Sequence, residues 1–210
     1  SDWSSDVCSS DLEAWTVIES DKVPIMIDPG CSILKEAKPV AVVDAILAKK
    51  NLGTTKDMAP VTVALGPGFV AGTDVDAVIE TMRGHHLGRL FLVGSAAPDS
   101  GTPGIIAGVG KERVIHAPCE GRIHHVRAIG DCVKKGEIIA VIDGRPVPAT
   151  LDGIIRGLIR EGFEVVKGFK IADIDPRDAE RANCFTISDK ARCIGGAVLE
   201  AVCMFQRIGK

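Results

Sequence analysis

Apolar residues fall along the chain in short runs, broken at intervals by glycine and proline. Val23-Pro24-Ile25-Met26-Ile27-Asp28 reads as a short strand closed by the turn Pro29-Gly30, and residues 40–46, almost wholly apolar and β-branched, read as a buried strand. A polar loop follows at 49–55. Val61-Thr62-Val63-Ala64-Leu65 is the next strand, and residues 66–72, Gly-Pro-Gly-Phe-Val-Ala-Gly, form a loop. The spacing beyond that loop predicts a helix over 74–83: Thr73 is its cap, Asp76 completes a capping-box variant, and Val75, Val78, Ile79 and Met82 share one face. With Leu90-Phe91-Leu92-Val93 as a further strand, strands and helix alternate as in an open α/β layer. Residues 95–110, with four glycines and two prolines, lead out of it.

From 117 to 175 one pattern is written twice. Shifting the chain by 32 positions superposes Ala117, Gly121, Ile123, Gly130, Val133, Lys135, Gly136, Ile139, Ala140, Ile142 and Asp143 on identical residues, eleven of the 27 aligned positions in 117–143. Each copy reads as short strands joined by glycine turns, with residues 137–142 as a mainly apolar strand. One copy alone would expose its apolar face, so two packed together predict a small all-β sandwich with an internal pseudo-twofold. After Pro176-Arg177 the chain turns helical. Ser188 is a plausible N-cap, Asp189 suits the first turn, and Ala191, Ile194, Val198, Leu199, Val202 and Phe205 make an apolar stripe. Gly195-Gly196 inside it weakens the helix by roughly 1 kcal/mol per glycine relative to alanine, a choice that a close backbone contact would explain.

Composition narrows the classes. Charged residues at 25%, a net charge of −3 and a mean hydropathy of +0.20 give no basic nucleic-acid surface, and no apolar run is long enough to span a membrane. Seven cysteines contain no C-x-x-C pair and match no zinc spacing, which reads as reduced thiols in a cytoplasmic protein. Residues 1–12 resemble the in-frame translation of a sequencing adapter. They are set aside from fold reasoning, Cys8 with them, and the natural N-terminus is expected to be missing. Residues 13–20 carry too little pattern to assign.

Two loops are candidates for chemistry. Gly66, Gly68 and Gly72 ahead of a helix capped by Thr73 suit a phosphate or carboxylate at the positive end of the helix dipole; a tight structural turn uses the same residues. Lys49, Lys50, Asn51, Thr54 and Thr55 follow a strand where open α/β sheets hold ligands, and equally read as a solvated basic loop. Glu80, Arg83, His85 and His86 gather at the end of the predicted helix, as metal or proton-transfer groups or as histidines favoured by the dipole. His124 and His125 lie on one predicted strand, so they point to opposite faces and do not easily share an ion. Cys184 and Cys193 flank Ser188-Asp189-Lys190, as reactive thiols or as inert buried ones.

Two resemblances go further. Ala117-Pro118-x-x-Gly121-x-Ile123 followed by Gly130-Asp131-x-Val133-Lys134-Lys135-Gly136-Glu137-x-Ile139-Ala140-x-Ile142 resembles the biotinyl/lipoyl-type barrel-sandwich hybrid domain. Carrier members hold a lysine between methionines on the hairpin joining the copies. Here that stretch is Asp143-Gly144-Arg145-Pro146-Val147-Pro148, so neither biotin nor lipoate is expected. Residues 43–55, 64–69, 78–85 and 184–192 resemble the YqeB-type family of selenium-dependent molybdenum hydroxylase system proteins, and the likeness covers residues 13–205.

The resemblances imply an α/β protein. A truncated Rossmann-like layer (13–113), lacking the family's glycine-rich opening unit, is followed by a barrel-sandwich hybrid (114–177, copies 117–143 and 149–175) and a C-terminal segment with a helix (178–210). They also imply a bacterial cytoplasmic accessory protein that matures hydroxylases acting on purines or nicotinate, with no catalytic residue or metal ligand carried over. Its partners would be the hydroxylase or its cofactor-maturation proteins, with no nucleic acid and no membrane. Its ligand would be a nucleotide or a molybdopterin-type cofactor held by Lys49, Lys50, Asn51, Thr54, Gly66, Gly68, Gly72 and Thr73. The alternative is an NAD(P)- or nucleotide-dependent oxidoreductase or transferase whose first phosphate loop is absent.

Overall fold

The structure is a computed structural model that describes residues 5–8, 11–101 and 104–207. It mixes helix and strand in an α/β chain. The chain forms two compact units. One takes in residues up to 81 with 88–97 and 196 onward, the other 82–87 with 98–195.

The first unit contains a four-stranded sheet in the order β3 (Ala41–Asp44), β4 (Val61–Leu65), β5 (Ala77–Ile79), β6 (Leu90–Phe91). β3, β4 and β5 run parallel and β6 antiparallel. β4 lies inside and is fully buried along Val61, Thr62, Val63 and Ala64. β3 is an outer strand, so the buried strand expected at 40–46 is shorter and Val43 stays 38% exposed. The helix expected over 74–83 does not form. Val75, Ala77, Val78 and Ile79 are all fully buried, and Asp76 between them is 4% exposed. A surface helix would turn part of that run to water, whereas an inner strand buries it on both faces, as its β-branched residues favour. Thr73 accordingly caps nothing. It sits in a turn where the N–H groups of Thr73 and Asp74 reach the Val70 carbonyl and Gly72 N–H reaches the Val75 carbonyl.

Within the adapter-like stretch, β1 (Ser5–Cys8) pairs in parallel with β2 (Val23–Met26). Residues 13–20, left unassigned by pattern, belong largely to helix α1 (Asp11–Glu19), and Cys8, Ala14, Val17 and Met26 pack together. Residues 1–4 and 9–10 lie outside the described part. A single turn, α2 (Leu34–Ala37), follows.

The second unit holds the repeat. β7 (Val114–His116), β8 (Gly121–His125), β9 (Cys132–Val133) and β10 (Ile138–Ile142) recur 32 positions later as β11 (Arg145–Pro148), β12 (Gly153–Leu158), β13 (Glu164–Val165) and β14 (Lys170–Asp175). The two antiparallel sheets have the orders β11-β10-β8-β13 and β7-β14-β12-β9, and exchanging the copies converts one order into the other. Equivalent hydrogen bonds recur: Gly136 N–H donates to Ala149 O and Gly168 N–H to Ala117 O, each at 2.9 Å. The core between the sheets is made of matched pairs, Ile123 with Ile155, Val133 with Val165, Ile139 with Ile171 and Ile142 with Ile174. Gly121 and Gly153 sit where a Cβ would strike the Asp143 carboxylate and the Asp175 backbone oxygen respectively, so a larger residue is disfavoured at both.

A 3₁₀ segment (Asp178–Phe185) leads to α3 (Asp189–Arg207), capped as expected by Ser188, whose Oγ accepts the Ala191 N–H at 3.1 Å. The buried face of α3 is Ala197, Ala201 and Phe205; Ala191 and Leu199, expected in the apolar stripe, are exposed. No atom lies within 4 Å of a Cβ built on Gly195 or Gly196, so close packing does not account for them. Among the described residues no helix is long and apolar enough to cross a membrane.

Candidate functional site

The loops at the carboxyl ends of β3 and β4 touch. A Cβ on Gly68 would lie 2.5 Å from Lys50 Cα and 2.7 Å from Lys50 N, so the two backbones are pressed together and only glycine fits. This contact joins the two stretches that the sequence offered as separate candidates.

Buried carboxylates hold the loops in shape. Asp44, at the end of β3, accepts from Ile46 N–H at 3.1 Å and from Thr54 Oγ1 at 2.6 Å. Asn51 closes the tip: its Oδ1 accepts from the N–H groups of Gly53 and Thr54, and its Nδ2 donates to Thr54 O, each at 2.8 Å. Asn51 and Thr54 are therefore committed to the loop's own frame. Leu47 and Lys49 take left-handed backbone angles, φ +58° and +64°, which turn the chain tightly before Lys50. Lys49, Lys50 and Lys56 are exposed.

The β4 loop is less open to an anion than expected. The N–H of Gly66 donates to Ile79 O, that of Val70 to Asp74 Oδ2, and that of Ala71 to Gly94 O, while Gly72 and Thr73 close the 70–75 turn. With no helix behind it, the loop has no dipole to aim. Gly66, Gly72 and Thr73 thus serve the fold, and Gly68 serves as the seat for Lys50. Lys56 had no signal in the pattern, yet its Nζ lies 3.2 Å from Gly72 O and 3.5 Å from Asp76 Oδ1, tying one loop to the other. Asp76 in turn accepts from the Thr62 N–H at 2.9 Å and from Thr62 Oγ1 at 3.2 Å, the role that replaces helix capping. The arrangement brings lysines and backbone together without pairing a nucleophile with a base.

No family model matches the chain. Over 203 residues it is 52% identical to the uncharacterized protein YqeB of Escherichia coli (strain K12), a span that covers 97% of this chain and 37% of that protein. The chain is a YqeB relative. It spans little more than a third of YqeB's length. A solved aspartoacylase family protein from Mesorhizobium loti overlays 64% of the YqeB relative and 51% of its own chain, at 14% identity and a TM-score of 0.31, too low to carry an argument about fold.

The remaining candidates in the YqeB relative resolve as follows. Glu80 is buried and accepts from the N–H groups of Thr81 and Ala97, each at 2.8 Å. Arg83 makes a two-pronged pair with Asp189 at 2.8 and 2.9 Å, and that guanidinium, helped by the Lys190 N–H, holds the Asp189 carboxyl well below the usual carboxylate range. The rings of His85 and His86 meet edge to face at 5.2 Å on the surface. His124 and His125 do converge, against expectation: their Nδ1 atoms lie 2.8 and 3.4 Å from the carboxylate of Glu161, which also accepts the His125 N–H at 2.7 Å. Glu161, between β12 and β13, reaches both histidines, which strand alternation alone does not foresee. Backbone and histidine hydrogen bonds lower its carboxyl from the ordinary value. Cys184 is half-buried against Ile155 O and Glu180 O, and Cys193 is exposed with its Sγ 3.3 Å from Leu87 O. Among the described residues no group of His, Cys, Asp and Glu is arranged to hold a metal ion.

Proposed function

We propose that this chain is part of an accessory protein for selenium-dependent molybdenum hydroxylases, working in the bacterial cytoplasm with the hydroxylase or its cofactor-maturation proteins. Its β3 and β4 loops would bind a phosphate-bearing ligand, either a nucleotide or a molybdopterin-type cofactor. The observation that carries the role is the 52% identity to YqeB, joined to the YqeB-type motifs at 43–55, 64–69, 78–85 and 184–192. For the ligand, the support is the seating of Lys50 on Gly68 next to the exposed Lys49. The parallel strands β3, β4 and β5 favour a Rossmann-like layer whose crossovers have shrunk to loops. The exchange symmetry of the two sheets favours a barrel-sandwich hybrid. The stretch that joins its copies, residues 143–148, carries Arg145 and no lysine, so this domain acts as a scaffold without biotin or lipoate.

In a host that makes a selenium-dependent purine hydroxylase, deleting the gene is expected to leave the hydroxylase polypeptide present but inactive and poor in selenium. A copy carrying Lys49→Glu and Lys50→Glu should fail to restore it and should bind pyrophosphate and nucleotides on the order of tenfold more weakly, since each substitution removes a cation and adds an anion. Normal hydroxylase activity and selenium content in the deletion strain would reject the maturation role and leave an independent nucleotide-using enzyme in its place.

A further inference from the structure

Residues related by the 32-position shift occupy equivalent places on the two halves of the sandwich, so each half shows what the other needs in order to fold. At three such places a charged residue of the first half is replaced by an exposed apolar one in the second. The first carries Asp131, Lys134 and Glu137; the second carries Phe163, Val166 and Phe169. The polar three are each fastened within the sandwich. Asp131 accepts the Ala128 N–H at 2.9 Å, Lys134 Nζ lies 3.1 Å from Asp152, and Glu137 accepts from Arg127 Nε at 2.8 Å and from Lys134 N–H at 3.0 Å. The apolar three face water, at 37, 64 and 42% exposure. Phe163 and Phe169 stack with centroids 6.2 Å apart and stand outside the sandwich core. Folding does not require them. The first half closes the same turns, Asp131 N–H to Ala128 O and Glu137 N–H to Lys134 O, that the second closes from Phe163 to Arg160 and from Phe169 to Val166.

The surroundings differ in the same direction. β13 is the outer strand of its sheet, paired on one side only, to β8. Its counterpart β9 runs into Lys134-Lys135, a pair that discourages further strand addition, while β13 runs into Val166-Lys167. Around the apolar residues the carboxylates are engaged, Glu161 by His124 and Glu164 by Arg122. Arg160 and Lys167 are exposed and make no ion pair among the described residues, and the counterpart of Arg160 is the neutral Ala128. The patch therefore combines an open strand edge, stacked aromatic rings and uncompensated positive charge.

We propose that Phe163, Val166 and Phe169, with the free edge of β13 and the cations Arg160 and Lys167, form a docking site for an extended segment of a partner protein that alternates apolar side chains with carboxylates. Such a segment adds to the edge by main-chain hydrogen bonds, lays apolar groups on the rings and meets the cations with its acidic groups. The site is independent of the anion site at Lys50 and of the hydroxylase role.

The test uses the intact chain and a phage-displayed library of random 12-residue peptides. Enrichment of peptides in which carboxylates alternate with apolar residues is expected. A synthetic copy of the commonest should bind at least tenfold more weakly to Phe163→Asp/Val166→Lys/Phe169→Glu, which grafts the first half's own residues onto the second, and to Arg160→Glu/Lys167→Glu. Thermal unfolding should be unchanged. If the triple variant does not fold, Val166→Lys alone carries the test, and unchanged affinity overturns the proposal. It is equally overturned by selection of basic or uncharged peptides, by self-association of the wild-type chain that the graft abolishes, or by binding to anionic lipid vesicles that the graft abolishes.

Discussion

The two copies of the repeat share a backbone and a set of core side chains, yet they end differently. Asp143 and Asp175 are equivalent by the 32-position shift. Asp143 stands in the exposed turn before β11 with φ +44°, and its carboxylate accepts the Arg122 N–H at 3.2 Å. Asp175 is 1% exposed and is held by two cations, Arg177 Nη2 at 2.8 Å and Arg156 Nη1 at 3.4 Å, and by the Arg177 backbone N–H at 3.0 Å. Beside it, the buried Arg113 donates to Ile174 O and Asp173. The same residue type is a turn former in one copy and a buried anchor for the following 3₁₀ segment in the other. Identity between the copies marks what the sandwich needs, and divergence marks what each half was put to.

The core should respond alike in both halves. Ile123→Ala and Ile155→Ala each remove a fully buried side chain from the same layer, and each is expected to cost about 2–5 kcal/mol, read from urea unfolding. Values that differ beyond that range's scatter would break the symmetry. The glycines should separate the halves. Gly153→Ala drives a Cβ into the fixed Asp175 backbone oxygen, whereas Gly121→Ala meets chiefly the Asp143 carboxylate, which can swing aside. Losses of about 3 and about 1.5 kcal/mol are expected. Equal losses would show that the backbone at 175 yields as easily as a side chain.

The aspartates at the ends of the copies should differ as well. Asp175→Asn should cost about 2 kcal/mol near neutral pH, because two arginines lose their charged acceptor, and Asp143→Asn should cost a few tenths at most. Hydrogen bonds from Arg177 lower the Asp175 carboxyl below its ordinary value. A lowered folded-state value means that the contribution is complete above the ordinary carboxylate range, near pH 4, and is lost as pH falls through the lowered value. The gap between wild type and Asp175→Asn in unfolding experiments should therefore hold from neutral pH down to about 4 and close only in stronger acid. A gap that closes above pH 5 would assign the effect to another group.

The repeat was legible because its signals are local. Glycines fix the turns, and matched apolar positions between them leave each strand one side to bury. The first unit was harder to read. Val75, Val78, Ile79 and Met82 satisfy a helical period, and only the burial of Asp76 and Ala77 by distant strands reveals the inner strand that forms. Asp76 illustrates the ambiguity, since an acidic residue three positions after a threonine caps a helix or, as here, braces Thr62 fourteen residues earlier. The loops of the candidate site were found by composition. Their contact through Gly68 and the tie from Lys56 depend on long-range placement, and so does the meeting of His124 and His125 at Glu161, none of which pattern alone encodes.

Each sheet of the sandwich takes its two inner strands from one copy and its two outer strands from the other. A chain bearing one copy alone can complete its sheets only by finding a second such chain, so the simplest forerunner of this unit is a homodimer of a short peptide. The turn at 143–144, which joins the halves here, makes that encounter intramolecular and so independent of concentration. During synthesis, β8 and β10 can pair as soon as the first copy has emerged, but their sheet is completed only by β13, and the sheet that holds β7 and β9 has no inner strands until β12 and β14 have left the ribosome.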